Sequence, residues 1–325
     1  IIDENKEKGK KEETNLLKIA IKEENIEIVQ FLLSIPDINV NTKLFKKSKD
    51  KSKELTVLHV AIKKDNAEIV KLLLENPEID LNAKLYKRSK DKAEELTPLH
   101  IAVQNENIEI VRLLLSKPEI NVNTKSFQLE KDTRRESTAL NIAVEKGNVE
   151  IVNFLIKRAE IDINIRSIKQ SKTKFKESSA LNIATKNGST EIVKILLSKS
   201  EVDFNSKLKK KSKEKIDELT SLYIATEKGD IEIVQLFMLQ QKIDVNLLSS
   251  KKSNEKKEIL APLHIAVKDE NEEILQILLN NPKIDVNIKT FEKEKSKKKK
   301  RTALHIAVEE NSKEMVELLM KHKSI

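Results

Sequence analysis

Apolar and polar positions along the chain follow one pattern that recurs every 41 residues. An alanine marks each copy, a leucine stands three residues before it, and a glutamate stands seven residues after it. An apolar pair and a leucine-rich cluster come next. The eight alanines are Ala20, Ala61, Ala102, Ala143, Ala184, Ala225, Ala266 and Ala307. Self-similarity at a fixed period predicts a tandem repeat architecture.

Each copy of the pattern predicts two short helices joined by a tight turn. Thr97 is placed to cap a first helix, and Asn107 is placed to cap a second. The recurrent glutamate then falls in the first turn of the second helix, where the helix dipole favours a negative charge. Gly147, Gly188 and Gly229 each precede a second-helix cap by one residue, which predicts a left-handed turn there.

The rest of each copy predicts a helix stop, an extended segment and a hairpin. Proline stands just past the second helix in four copies, as at Pro118, and residues 79–82 have the pattern of an extended segment. An asparagine closes each internal copy, at Asn41, Asn82, Asn123, Asn164, Asn205, Asn246 and Asn287. We therefore predict an all-α solenoid of about eight helix-turn-helix repeats with short β-hairpin fingers.

We expect one array to fill residues 1–325. Its approximate repeats are 1–41, 42–82, 83–123, 124–164, 165–205, 206–246, 247–287 and 288–325. The first residue is Ile1, and neither end shows the polar capping repeat that solenoids need for solubility. We therefore expect the chain to be an excerpt of a longer array.

Two segments of one copy carry a resemblance to a known family. Residues 97–103 read TPLHIAV and residues 108–115 read IEIVRLLL, and this pattern closely resembles the ankyrin repeat over essentially the whole chain. Ankyrin repeats usually run about 33 residues, so the extra length here falls mostly in the hairpin, and the usual glycine before the threonine is missing. The resemblance implies a non-catalytic scaffold or adaptor that binds protein partners through a concave groove and its finger tips.

Composition and missing motifs exclude several classes of function. The chain has no cysteine, which excludes disulfide scaffolds, Cys-ligated zinc, iron–sulfur clusters and thiol catalysis. With only four glycines it has no phosphate-binding loop, and HExxH and nucleophile-elbow motifs are also missing. We therefore predict no enzyme activity, no cofactor and no metal site. No apolar run reaches membrane-spanning length, so we expect an intracellular protein, in the cytoplasm or alternatively in the nucleus.

The basic charge of the chain is concentrated in the fingers. The seven segments between the closing asparagine and the next helix cap, beginning with residues 42–55, carry net charges of +4, +2, +1, +4, +3, +2 and +6. They total +22 against +9 for the whole chain, so the remaining residues carry −13. In a stacked array the fingers line up along one edge, which predicts a basic stripe beside an acidic helical body.

We expect partner contacts from the fingers and from the end of the first helix. Five fingers share a tip pattern K-x-S-[K/N]-x-K, led by Lys46, Lys87, Lys169, Lys210 and Lys251. The candidate finger residues are Phe45, Lys49, Lys51, Tyr86, Lys90, Lys92, Phe127, Arg134, Arg135, Lys172, Lys174, Lys211, Lys213, Lys252, Lys256, Phe291, Lys298 and Lys300. The candidate helix residues, at positions that vary between copies, are Lys63, Lys64, Gln104, Asn105, Glu145 and Lys146.

The lysine-rich fingers admit several interpretations. They can simply repel one another and keep a sheet edge from aggregating. They can also bind an acidic protein segment, an anionic membrane surface or nucleic acid. Alternatively the array targets an enzyme or channel domain outside this sequence. Residues 295–301 resemble a nuclear-localisation signal, and the tip serines, such as Ser171, are candidate phosphorylation sites.

Two sets of recurring polar residues favour structural roles. Histidine stands two residues before the repeat alanine in four copies, at His59, His100, His264 and His305, and Asn, Lys or Tyr stands there in the others. Since all of these side chains form hydrogen bonds, and the histidines are 41 residues or more apart, we predict structural hydrogen bonding rather than a metal site. The recurrent glutamates are explained by their place in the first helical turn.

Overall fold

The computed structural model describes residues 16–36, 38–295 and 297–324, and the chain divides into two compact units, Ile1–Asp162 and Ile163–Ile325. In each unit, pairs of short helices alternate with β-hairpins. In the first unit, residues 16–22 are helical, and the further helices are α1 (Ile26–Leu33), α2 (Val57–Lys64), α3 (Ala67–Glu75), α4 (Pro98–Asn105), α5 (Ile108–Leu115), α6 (Ala139–Lys146) and α7 (Val149–Ile156). Its strands are β1 (Leu44–Ser48), β2 (Lys51–Leu55), β3 (Leu85–Ser89), β4 (Lys92–Leu96), β5 (Ser126–Glu130) and β6 (Thr133–Ser137).

The second unit repeats this order of elements. Its helices are α8 (Ala180–Asn187), α9 (Thr190–Leu197), α10 (Ser221–Glu227), α11 (Ile231–Met238), α12 (Pro262–Lys268), α13 (Glu272–Leu279), α14 (Ala303–Glu309) and α15 (Lys313–Met320). Its strands are β7 (Ser167–Gln170), β8 (Phe175–Ser178), β9 (Lys207–Lys211), β10 (Lys215–Thr220), β11 (Ser249–Ser253), β12 (Lys256–Leu260), β13 (Phe291–Glu294) and β14 (Lys297–Lys299). The predicted helical pairs with hairpin fingers are thus found throughout the described residues.

The helix ends follow the predicted capping chemistry. The Thr97 hydroxyl accepts the His100 N–H at the start of α4, and the Asn107 side chain accepts the Ile110 N–H at 2.8 Å at the start of α5. Glu109 lies in the first turn of α5, as predicted. The extended segment predicted at residues 79–82 is not a strand, because residues 81–82 form a turn and β3 begins only at Leu85.

A left-handed residue joins the two helices of every repeat. Gly147, Gly188 and Gly229 have φ of 75°, 71° and 66°, as predicted. Residues with side chains take the same conformation at the matching positions of the other copies. These are Glu24, Asp65, Glu106, Glu270 and Asn311. The turn geometry is therefore common to all copies, although glycine occurs in only three of them.

The repeat alanine and leucine form the core between helices. First helices of successive repeats pack side by side within each unit, and so do second helices. Ala102 and Leu99 of α4 are almost fully buried, as are Ile110 and Leu114 of α5. The repeating small residue allows the close approach of neighbouring helices, which pack at about 8–10 Å.

The hairpins of successive repeats also pair with one another, which the sequence pattern did not predict. In the first unit β1 to β6 form one antiparallel sheet in chain order. In the second unit β7 to β14 do the same. Neighbouring strands lie about 4.8 Å apart, so each two-stranded hairpin lengthens the sheet by roughly 9–10 Å. Packed helices are separated by a similar distance, about 8–10 Å, so helices and hairpins stack with a common repeat distance.

Candidate partner-binding surface

Strand pairing arranges the finger side chains of the first unit in rows that cross the strands. One row alternates aromatic and acidic residues, and it consists of Phe45, Glu54, Tyr86, Glu95, Phe127 and Glu136. The next row toward the tips consists of Lys46, Lys53, Lys87, Glu94, Gln128 and Arg135. Because successive side chains point to opposite faces of a sheet, the two rows lie on opposite faces. We call the face with Phe45 the ring face and the face with Lys46 the groove face.

The second unit has the same two faces. Its ring-face row contains Ile168, Glu177, Lys209, Glu218, Ser250, Ile259 and Phe291. Its groove-face row contains Lys169, Lys176, Lys210, Asp217, Lys251, Glu258, Glu292 and Lys299. Both rows begin with three lysines, and acidic and basic residues are mixed in the rest of the second unit's row.

The groove face lies against the C-terminal ends of the first helices. Lys251 of this face forms an ion pair with Glu227, the last residue of α10. The Lys268 ammonium, at the end of α12, lies 3.1 Å from Glu258 Oε1. A groove therefore runs between the sheet and the helix ends in each unit, with charged side chains on both walls.

Lysines crowd the groove of the first unit. Burial lowers the pKa of Lys53, and the nearby ammonium groups of Lys87, Lys22, Lys18 and Lys46 lower it further. Burial likewise lowers the pKa of Lys63, and Lys53 and Lys87 add to that effect, whereas Glu94 opposes it. Like charges thus face one another across this groove at a partly desolvated site.

A depression of about 340 Å³ lies between the first two fingers, toward their tips. Its lining comes from β1 to β4 and consists of Lys46, Ser48, Lys51, Ser52, Lys53, Lys87, Arg88, Ser89, Lys92 and Glu94. One carboxylate is therefore set among five lysines, an arginine and three serines. The composition of the lining is that of a site for an anionic group.

Ion pairs occupy the later repeats of the second unit's groove. Glu258 accepts hydrogen bonds from Lys268 and lies 2.8 Å from the Lys256 ammonium. Arg301 pairs with both Glu292 and Glu309. Burial also lowers the pKa of Lys210, as do Lys186 and Lys251, but Asp217 and Glu227 oppose the shift. Neighbouring side chains thus neutralise the later part of this groove.

The predicted aromatic residues lie on the ring face, away from the lysine groove. Phe45 is 73% exposed and Tyr86 is 39% exposed. Phe127 is partly covered by Arg134, whose guanidinium carbon lies 5.5 Å from the ring centre, and Lys257 lies 5.9 Å from the ring centre of Phe291. The cation–π contacts hold these basic side chains within the sheet itself.

The other predicted finger residues are divided among the groove face, the ring-face side and the tips. Lys51, Lys92, Arg135 and Lys256 lie on the groove face. Three more lysines occupy sheet positions on the opposite side, and these are Lys211, Lys252 and Lys298. The remaining lysines lie in or beside the tip turns or past the last strand, at Lys49, Lys90, Lys172, Lys174, Lys213 and Lys300. The structure does not bring the candidates together into one surface.

The tip serines have a structural contact. Ser212 Oγ accepts the Lys215 N–H at 3.1 Å, and Ser171 and Ser253 make the same contact with Lys174 and Lys256. The serine of the tip pattern therefore closes the hairpin turn in three fingers of the second unit. In the seventh finger, Ser296 lies outside the described residues.

The two variable helix positions differ in their surroundings. The first position, held by Lys63, Gln104 and Glu145, lies beside the groove. The second position contacts the preceding repeat, because Lys64 pairs with Glu24 at 2.8 Å and Lys146 pairs with Glu106 at 2.7 Å. Asn105 similarly donates to the Ile62 carbonyl at 3.3 Å. Thus Lys64, Asn105 and Lys146 tie neighbouring repeats together.

Several groove residues were not among the sequence candidates. They are Lys18, Lys22, Lys46, Lys53 and Lys87. Strand alternation could have identified part of this set, because Lys46 and Lys53 pair in β1 and β2 and lie on the same face as Ser48 and Lys51. Pairing between fingers was needed to add Lys87.

The buried histidines make the predicted structural hydrogen bonds. His59 Nδ1 accepts the Thr56 N–H at 3.1 Å, and His264 Nε2 bonds the Ile288 carbonyl at 3.0 Å. Asn182 fills the same slot and donates to the Ser206 carbonyl at 3.0 Å. Among the residues that the structure describes, there is no group of three or more His, Asp or Glu arranged to hold a metal ion.

Comparisons with known proteins agree with this architecture. A family model for ankyrin repeats in three copies matches residues 1–85, 85–167, 166–249, 207–290 and 245–325. The crystal structure of the ankyrin repeat domain of Bcl-3, a member of the IkappaB protein family, is 20% identical, with a TM-score of 0.55 over 81% of this chain and 97% of that chain. An ankyrin repeat domain from Acinetobacter baumannii AYE is 21% identical, with a TM-score of 0.49 over 69% of this chain and 97% of that one.

No curated protein matches the chain. Within its described part, no helix is long and apolar enough to cross a membrane. The family match extends from the first residue to the last, and capped helix pairs with intervening hairpins recur through the described residues of both units. The chain therefore belongs to the ankyrin-repeat family.

Proposed function

We propose that the chain is a non-catalytic scaffold or adaptor that binds protein partners through the groove between its hairpin sheets and first helices. Ankyrin-repeat domains generally mediate protein–protein interaction and are typically non-catalytic. Binding by such a surface depends on shape and charge complementarity over several repeats, and no covalent bond is made or broken.

One contrast between positions carries this proposal. The residues that build the stack are held nearly constant, with Ala102 and Leu99 buried and the closing asparagines bonded to the next repeat. The groove position at the end of the first helix instead changes between copies, from Lys63 to Gln104 to Glu145. A regular scaffold with a variable charged groove supports recognition of a partner at this surface.

A pull-down from nuclease-treated lysate tests the proposal. The chain as given is compared with a variant in which the three groove positions are changed, Lys63→Glu, Gln104→Lys and Glu145→Lys. These exposed or half-exposed positions can change without disturbing the core. A discrete protein captured by the parent and lost with the variant supports recognition in the groove. Equal capture by both places recognition elsewhere, and the absence of any reproducible protein argues against the scaffold function.

A control separates lost recognition from lost structure. Lys64 contacts the preceding repeat rather than the groove, so Lys64→Gln should leave partner capture unchanged. Circular dichroism of all variants verifies that the helices are intact. Nuclease treatment removes nucleic acid as a bridge, so any captured protein is bound directly or through another protein.

A further inference from the structure

The groove of the first unit holds lysines that have no matching carboxylates. Among the described residues, no Asp or Glu oxygen lies within 4.0 Å of the ammonium groups of Lys46, Lys53 or Lys63, whereas Lys43, on the finger but outside the groove, pairs with Glu54 at 2.7 Å. Lys87 has one distant pair, with Glu94 at 3.6 Å. The residues that the structure describes thus leave the positive charge of this groove largely uncompensated.

The equivalent positions in the later repeats of the second unit show what a compensated groove looks like. The 41-residue period places Glu258 in the position of Lys53, and Glu227 in the position of Lys63. Those two glutamates pair with Lys256, Lys268 and Lys251. The fold therefore does not require lysine in every copy, although the same period places lysine again at the start of the second unit, at Lys169, Lys176, Lys186 and Lys210.

Leaving these lysines unpaired has a cost that a bound anion would remove. Lys53 is half-buried, and the ammonium groups of Lys18, Lys22, Lys46 and Lys87 repel it. An anionic group in the depression would lie among several ammonium groups and near the hydroxyls of serines in its lining. Attraction between unlike charges at a partly desolvated site is stronger than at an open surface.

We propose that the first unit binds an extended acidic polypeptide segment in this groove, with its carboxylates held by Lys46, Lys53, Lys63 and Lys87. This inference rests on the proposed protein-binding function and names the chemistry of the partner. Lysines of neighbouring strands repeat at about 4.8 Å, and alternate side chains of an extended peptide repeat at about 6.6 Å. Flexible lysine side chains span that difference, so successive carboxylates of such a segment can each meet an ammonium group.

Two observations favour a peptide over other polyanions. The aromatic rings that could stack on single-stranded bases, Phe45 and Tyr86, lie on the ring face, opposite the lysines. Three of the crowded lysines, Lys46, Lys53 and Lys87, line a depression between two hairpins, where carboxylate side chains can enter. A flat membrane surface or a rigid nucleic-acid duplex fits a depression of this size poorly.

The test measures fluorescence anisotropy of a labelled peptide with glutamate at alternate positions and serine between them. A peptide with glutamine in place of glutamate is the matched ligand control. We expect the glutamate peptide to bind the whole chain and the glutamine peptide not to bind. The triple variant Lys53→Gln, Lys63→Gln and Lys87→Gln should weaken binding by about tenfold or more.

A second triple variant has the same change of net charge outside the groove. Lys211→Gln, Lys252→Gln and Lys298→Gln alter lysines on the opposite side of the second unit's sheet. This variant should bind the glutamate peptide nearly as tightly as the parent. Equal weakening by both triple variants would overturn the proposal, since it would assign binding to net charge rather than to the groove.

Competition experiments test whether another class of polyanion binds the same groove. Single-stranded oligouridylate and vesicles containing phosphatidylserine are each added to the complex of chain and labelled peptide. If either binds more tightly than the peptide and also depends on Lys53, Lys63 and Lys87, the proposed partner is wrong. Failure of the glutamate peptide to bind, while the lysate pull-down still captures a groove-dependent protein, overturns this inference and leaves the scaffold function standing.

Discussion

The side-chain amide of Asn82 is clamped to the repeat that follows it. Its Nδ2 donates to the Glu119 carbonyl at 2.8 Å, and its Oδ1 accepts the Asn121 N–H at 2.8 Å. Asn123 makes the same two contacts with Glu160 and Asp162. Each closing asparagine therefore joins its repeat to the next by hydrogen bonds to backbone, independent of the side chains found there.

Asn82→Ala should destabilise the first unit by about 1 kcal/mol, because two hydrogen bonds between repeats are lost at a partly exposed site. In a repeat array such a change weakens the interface between neighbours more than the repeat itself. The midpoint of urea unfolding, followed by circular dichroism, measures the effect. Asn254→Ala at a finger tip is the control and should leave the midpoint unchanged. Similar midpoints for Asn82→Ala and the parent would refute a stabilising clamp.

The buried histidines should make the fold sensitive to acid. Burial lowers the pKa of His59, His100 and His264 from the usual 6.5 to about 4. The unfolded chain therefore takes up protons first as the pH falls. The stability associated with each neutral histidine is complete above about pH 6.5 and is lost progressively toward pH 4.

His100→Asn should remove part of that pH dependence. Asn182 shows that asparagine can bond both its own helix cap and the next repeat in this slot. Between pH 7 and pH 4 the variant should lose less free energy of unfolding than the parent, by an amount on the order of 2–3 kcal/mol. Urea titrations at both pH values measure this difference, in which the common effect of carboxylate protonation cancels. Parallel losses in the two proteins would contradict a neutral buried His100.

The left-handed turns between helices predict opposite effects for two substitutions. Gly147 has φ of 75° and open space where a Cβ would lie, so Gly147→Ala adds backbone strain without a clash. We expect a loss of about 1 kcal/mol. Glu270 has φ of 51°, so Glu270→Gly relieves strain and should stabilise the second unit by up to about 1 kcal/mol. Thermal unfolding of both variants checks the signs, and a shift of the same sign in both would be inconsistent with this account.

Much of the fold could be predicted because eight copies of one pattern reinforce each other. Caps such as Thr97 and Asn107, and the left-handed glycines, are local features whose physical causes act within a few residues. Pairing between fingers depends on the distance between stacked helices, which the pattern within one repeat does not contain. The extended segment expected at residues 79–82 failed for a related reason, since Asn82 is held in a turn by the next repeat.

The candidate surface was predicted less well, because the net charge of a sequence segment does not show which charged side chains lie close together in the fold. The seventh finger has the highest net charge, +6, yet its Arg301 pairs with Glu292 and Glu309. Lys53 was not a candidate, but the sheet places it between Lys46 and Lys87. To find which lysines have no carboxylate partner, one needs the register of the strands and the positions of the helix ends opposite them.

Removing carboxylates from the later repeats of the second unit should strengthen acidic-peptide binding there. Glu227→Gln and Glu258→Gln together release Lys251, Lys256 and Lys268 from their ion pairs and leave this part of the groove with an excess of positive charge. The affinity of the chain for the glutamate peptide should rise, or a second binding event should appear, with a gain of about threefold or more. Isothermal titration calorimetry measures both affinity and stoichiometry.

The control for that gain changes net charge equally but spares the groove. The control variant combines Glu218→Gln and Glu270→Gln. Glu218 lies on the ring face, and Glu270 lies in a turn between helices. Because the added positive charge is then remote from the helix ends, peptide affinity should rise only slightly, and less at higher ionic strength. If this control gains as much affinity as the groove variant, then long-range charge rather than the local loss of carboxylates governs binding. A gain confined to the groove variant would mean that paired glutamates keep acidic segments out of the later repeats of the second unit's groove.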